Sequence, residues 1–199
     1  ILATGGTAYY QDPPLPGTEY GVAELEGLRN TRVYDWRTNT WSQTGDTHIG
    51  VATDHVIESF RNGLWAGYKT GAGIEPTLLA QFHPLEEALE AMGVAVWPMV
   101  ELEADDALAS AAHLAAADPR VEKVCIWTPD KDLAQCVRGD RVVQVLRKAN
   151  TILDEPGVRA KYGVAPERIP DFLALVGDTA DGYPGIAGIG RVGAARLIA

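Results

Sequence analysis

Eight carboxylates fall in four short runs of the chain. They are Asp54 alone, then Glu103, Asp105 and Asp106 in EADD, Asp130 and Asp132 in TPDKD, and Asp178 and Asp181 in GDTAD. Gathered in one place, so many acids repel strongly unless cations stand between them. Hard oxygen ligands in such number suit Mg²⁺ or Mn²⁺. Two such ions about 4 Å apart can activate a water and stabilise the leaving oxygen of a phosphodiester. Any one of these acids also suits a helix N-cap or first turn, as Asp105, Asp130 and Asp178 illustrate. Four clusters together favour a metal site.

The elements that must position them can be read from the apolar pattern. HIGVAT (48–53) precedes Asp54, VAVWPM (94–99) precedes EADD, and VCIWT (124–128) precedes TPDKD. These runs read as buried strands, and 55–68, 76–92 and 104–117 read as helices. A short helix from Lys131 and a strand at VVQVL (142–146) follow, then a helical region over 155–199 punctuated by Gly and Pro. Strand alternating with helix predicts an α/β fold, a parallel sheet with covering helices. In such open sheets ligands bind at the carboxyl ends of the strands. Three of the four acid clusters follow a strand directly, so they should converge there. The fourth closes the helix DFLALVG.

The chain has 199 residues, 46% of them hydrophobic, with 27 acidic against 17 basic residues and a net charge of −10. A nucleic-acid binder is usually basic. The acidic balance is compatible with a nucleic-acid enzyme if metals bridge acid to phosphate. Cys125 and Cys136 form neither a disulfide framework nor a CxxC pair, which fits a reducing cytoplasm. An apolar run of about 18 residues is absent, as is a signal-like start, so neither a membrane span nor export is expected. His48, His55, His83 and His113 lack metal-ligand spacing and read as surface or packing residues. There is no nucleophile elbow, and neither cysteine has an evident His partner.

Near the end, Gly188, Gly190 and Gly193 match GxGxxG. A dinucleotide fingerprint needs a strand just before it and an acid about twenty positions later. Here a helix precedes it, with Pro184 and Gly185 between. A helix-hairpin-helix fits better, since tight glycine turns present backbone N–H groups to a phosphate without reading sequence. Arg191 and Arg196 add charge. A simple turn between two helices is the other reading.

From about Thr47 to its end the chain resembles the 5′-3′ exonuclease domain of bacterial DNA polymerase I and its flap-endonuclease relatives. The likeness rests on ATDHVIESFRNGLWAGYKTG, ELEADDALA, TPDKDLAQCV and GDTADGYPGIAGIG, in family order. It implies a PIN-like fold with a C-terminal helix-hairpin-helix (H3TH-type), and a two-metal nuclease acting on DNA 5′ ends, flaps or branched duplex. By position, Asp54, Glu103, Asp105, Asp106, Asp130, Asp132, Asp178 and Asp181 match the family's metal-binding carboxylates. Arg61 and Lys69 match arch residues that contact the scissile phosphate, and Tyr68 a residue that stacks on a base, although core packing is the commoner role for such a tyrosine. Gly185, Gly188 and Gly190, with Arg191, match the hairpin that grips DNA and, in the family, often K⁺. The family opens on a strand ending in Asp-Gly, which residues 1–46 lack. The first metal-binding aspartate and first strand are therefore expected to be missing and activity impaired. Val192 stands where the family commonly has Lys.

Residues 1–46 are rich in Gly, Thr, Pro and aromatics and read as short antiparallel strands and loops. ILATGG and TRVYDWRTNTWSQTGD are similar to one kelch blade, which lacks neighbours to pack on. The expected division is a kelch-like β segment at 1–46, not independently folded, an exonuclease α/β domain at 47–150, and a truncated helix-hairpin-helix region at 151–199. Besides a nuclease, a non-catalytic DNA-structure binder and a kelch-type interaction protein fit this pattern.

Overall fold

The computed structural model describes residues 7–8, 32–35, 40–43 and 48–198, with side chains described from 48 onward. Its first motif is parallel. Strand β4 (Gly50–Asp54) pairs with β5 (Ala95–Met99), from Gly50 opposite Ala95 to Asp54 opposite Met99. Between them run α1 (Phe60–Leu64), α2 (Pro76–Leu79) and α3 (Phe82–Ala91). After β5 comes α4 (Ala104–Ala117), which leads to β6 (Val124–Ile126). β6 pairs in parallel with β7 (Val142–Leu146), and β7 pairs antiparallel with β8 (Thr151–Leu153). α5 (Glu155–Tyr162), α6 (Ile169–Val176) and α7 (Arg191–Ile198) close the chain. The result is a mixed α/β fold with parallel pairing, as the alternation predicts.

Helix α4 lies over both sheets because its apolar residues recur at helical spacing. Ala104, Leu108, Ala112 and Ala115 are buried on one face. They form a core with Ala52, Val124, Ile126, Leu133 and Val142. A second core joins Val158, Tyr162, Ile169, Phe172 and Ala194, tying α5 and α6 to α7. Asp154 caps α5, its Oδ1 accepting from Gly157 N at 2.8 Å. Asp154→Ala should cost about 1 kcal/mol of stability, seen as a small drop in thermal midpoint.

Two helices differ from expectation. Over 55–68 only α1 is helical, and none of its residues is buried. Gly63 and Gly67 weaken helix there by about 1 kcal/mol each, and no apolar face offsets it. Over 76–92 the helix breaks at Ala80 and Gln81 into α2 and α3. Strand β8 was not expected.

In the N-terminal segment, β1 (Thr7–Ala8) pairs antiparallel with β4, and β2 (Arg32–Asp35) with β3 (Thr40–Gln43). β1 also lies against β6 and α4. It pairs with the start of β4, Thr7 opposite Val51 and Ala8 opposite Gly50, and brings no acidic residue of its own. The rest of the expected β segment, including ILATGG up to Gly6, lies outside the described residues. Among the described residues no helix is long and apolar enough to cross a membrane.

Candidate metal centre

The strand ends deliver the acids. Asp54 is the last residue of β4, and its Oδ1 accepts from Ala104 N at 2.7 Å, which fixes it against the start of α4. Glu103 is the N-cap of α4, and its own N–H donates to Asp106 Oδ2 at 2.9 Å. This reciprocal cap points Glu103 inward, where it is 4% exposed. Asp130 sits on the loop after β6, and Asp132 at its end opens the short 3₁₀ helix Asp132–Cys136, the helix expected from Lys131. The loop is folded by Asp130 N donating to Thr128 Oγ1 at 3.1 Å and Asp132 N to Asp130 Oδ1 at 3.2 Å. Asp178 lies just past α6, held by reciprocal backbone bonds with Tyr183 of 2.7 Å each.

One carboxylate oxygen from each of Asp130, Asp132 and Asp178 lies within 4.8 Å of the others. Asp132 Oδ1 is buried and has no hydrogen-bond partner among the described residues. An orphaned anionic oxygen beside two further carboxylates fits a hard divalent cation. Asp178 also pairs with Lys131 Nζ. Burial, then Asp130, Asp132 and Asp54, pushes the Asp105 carboxyl up to about 8. Burial, then Asp130, Asp181 and Asp178, pushes Asp132 up to about 6. Burial likewise raises Asp54 and Asp181. These acids share one low-dielectric neighbourhood.

Glu103 and Asp106 are differently placed. Arg61 grips Asp106 through two 2.7 Å hydrogen bonds and reaches Glu103 Oε2 at 2.7 Å. Its guanidinium holds the Asp106 carboxyl below the usual range. Lys69 Nζ reaches Glu103 Oε1 at 3.0 Å and Asp181 Oδ1 at 3.3 Å. Tyr68 Oη donates to Glu103 at 2.8–3.0 Å. The tyrosine read as a base-stacking residue is therefore hydrogen-bonded to a candidate ligand.

The segment 65–69 is fastened to the turn after α6. Trp65 Nε1 donates to Gly182 O at 3.3 Å, Lys69 N donates to Asp181 O at 3.2 Å, and the Trp65 and Tyr183 rings meet edge to face. Gly182 has φ +74°, and a Cβ there would overlap the Gly67 carbonyl oxygen. Only glycine fits this crossing. Gly185 and Gly188 take φ +66° and +84° in the turn between α6 and α7. Gly188 and Gly190 face open space. Arg191 Nη2 donates to Lys161 O at 3.1 Å, and its guanidinium lies 5.6 Å from the Tyr162 ring centroid.

One buried carboxylate carried no sequence signal. Glu86 on α3, 5% exposed, accepts from Thr53 Oγ1 at 2.5 Å and meets His55 Nδ1 at 2.6 Å. His55 stacks on His83 with centroids 4.2 Å apart. The sequence reads these histidines as surface or packing residues; the structure adds a buried carboxylate partner for His55.

Residues 27–163 match the family model described as the 5′-3′ exonuclease, N-terminal resolvase-like domain. The DNA polymerase I of Pseudomonas aeruginosa is 38% identical over 193 residues, 96% of this chain and 20% of that protein. A 5′-3′ exonuclease of Buchnera aphidicola is 35% identical over 151 residues, covering 75% of this chain and 52% of its own length. The chain thus spans about a fifth of the polymerase and half of the shorter relative. Among solved structures, a T5 5′-exonuclease variant superposes with a TM-score of 0.64 at 19% identity, over 75% of this chain and 56% of that one. A T5 flap endonuclease complex with DNA and metal ions gives 0.63 at 20%, over 75% and 58%. At such identity the structural likeness establishes the fold. The kelch likeness finds no support, because the family match begins at residue 27, inside the segment read that way. The chain belongs to the 5′-3′ exonuclease, N-terminal resolvase-like domain family.

Proposed function

We propose that this chain is a divalent-metal-dependent 5′-3′ exonuclease or flap endonuclease acting on DNA 5′ ends, flaps and branched duplex. The observation that carries this reading is the Asp130–Asp132–Asp178 group, with its buried, unpartnered Asp132 oxygen. Asp54, Glu103, Asp105, Asp106 and Asp181 complete the proposed ligand set for two ions, Mg²⁺ or Mn²⁺. Ions bound there would supply activation of water and neutralisation of charge at the leaving oxygen. Arg61 and Lys69 stand beside the acids, within reach of a phosphate that enters between them. In this reading α6, the glycine turn and α7 form the helix-hairpin-helix region of 151–199. Gly185, Gly188, Gly190 and Arg191 meet the duplex backbone there, with K⁺ as a candidate ion. Tyr68 stacks on a base in this reading, and its hydroxyl donates to Glu103.

The test is cleavage of a labelled 5′-flap DNA with Mg²⁺ or Mn²⁺, beside an Asp130→Ala/Asp132→Ala control. Cutting that requires the ion and vanishes in the control is the expected result. Salt-dependent binding without cutting would replace this reading with a DNA-structure binder.

A further inference from the structure

Strand β7 reads VVQVL, and its middle residue is the anomaly. Gln144 is 0% exposed, paired in register with Ile126 on one side and Leu153 on the other. An aliphatic side chain would suit that place better, since a buried amide must find partners. Gln144 Nε2 finds two. It donates to Thr128 O at 3.1 Å and to Asp130 O. Both acceptors are main-chain carbonyls, so the atom facing them must be the nitrogen. Its Oε1 is buried without a partner among the described residues. The residue therefore keeps an unsatisfied acceptor in the core for the sake of two donated bonds, and both land on the loop that carries Asp130 and Asp132.

Within that loop Asp130 N bonds Thr128 and Asp132 N bonds Asp130, while Lys131 reaches out of it to Asp178 beyond α6. They shape the loop but do not anchor it to the sheet. Gln144 does. We propose that Gln144 is a positioning residue for the metal centre, pinning the 128–130 backbone to β7 so that Asp130 and Asp132 face Asp178. This rests on the metal reading above and adds a residue that touches neither metal nor substrate.

The test measures Mn²⁺ binding to the chain by loss of the free-ion electron-spin signal, with thermal midpoints alongside. The variants are Gln144→Leu and Gln144→Met. Either removes the donors and the orphaned acceptor together. The expected result is a folded protein whose midpoint is unchanged or raised and whose Mn²⁺ affinity falls about tenfold or more, the scale of losses when outer-shell partners are removed. If the leucine variant fails to fold, the unbranched methionine variant decides. A folded variant binding Mn²⁺ within twofold of the parent would overturn the proposal alone. Parent protein that binds no Mn²⁺ would overturn the metal reading and this proposal with it. A merely structural role would move the midpoint and leave the affinity in place.

Discussion

Asp132→Asn should lower metal-dependent cleavage by about a thousandfold or more while leaving the fold intact. A bound divalent ion stabilises transition-state charge by several kcal/mol, and about 4 kcal/mol corresponds to three orders of magnitude in rate. Among the described residues, Asp132 is a proposed ligand with no other partner for its buried Oδ1, whereas Asp106 is occupied by Arg61 and Asp178 by Lys131. Asparagine keeps the side chain's size but replaces an anionic oxygen with a neutral amide. Single-turnover cleavage of a 5′-flap DNA at saturating Mg²⁺ reads the effect, with thermal unfolding as the fold control. Cleavage within tenfold of the parent would remove Asp132 from the ligand set.

The second large effect concerns stability. With metal removed by chelator, Asp105→Asn should raise the thermal midpoint, and by more at pH 8 than at pH 5. Burial and the charges of Asp130, Asp132 and Asp54 push Asp105 up to about 8 from an ordinary 3.8. The folded state therefore binds this proton more tightly than the unfolded state. Stability from it is fully present below about pH 4 and is lost progressively as pH climbs to about 8. Asp132, pushed up to about 6, adds a loss confined to the window between 3.8 and 6. At neutral pH the Asp105 contribution is of the order of a few kcal/mol, or several degrees in midpoint for a chain of this size. Asparagine does not titrate and flattens the pH dependence. Saturating Mg²⁺ should do the same to the parent, because a cation compensates the ionised acids. A parent midpoint that rises with pH in chelator would contradict this assignment.

The strands and the acids were legible because their signals are local. VVQVL, Ala104–Ala117 and the position of each acid just after an apolar run follow from periodicity, and the structure places them accordingly. The segment 55–69 was not legible. It looks helical from composition, but nothing buries α1, and its Trp65, Tyr68 and Lys69 are held by Gly182, Glu103 and Asp181, which lie far along the chain. No window of sequence contains both partners. The same holds for Glu86, whose partners Thr53 and His55 precede it by 33 and 31 residues. β8 escaped because three residues are too few to show a period. Gln144 was visible only as a polar residue within a strand, and its partners became evident only through the fold.

The ion pairs on Glu103 bear on how the domain comes to exist at all. Small metal-binding domains often stay unfolded until the ion arrives, because their ligands have nothing else to hold. Here the carboxylate at the head of α4 already meets a guanidinium, an ammonium and a phenol from its own chain. Glu103 is thus partnered by its own chain as soon as the backbone closes, with Arg61 shared with Asp106 and Lys69 with Asp181. On the proposed metal reading, this carboxylate is held in place by its own chain before any cation binds.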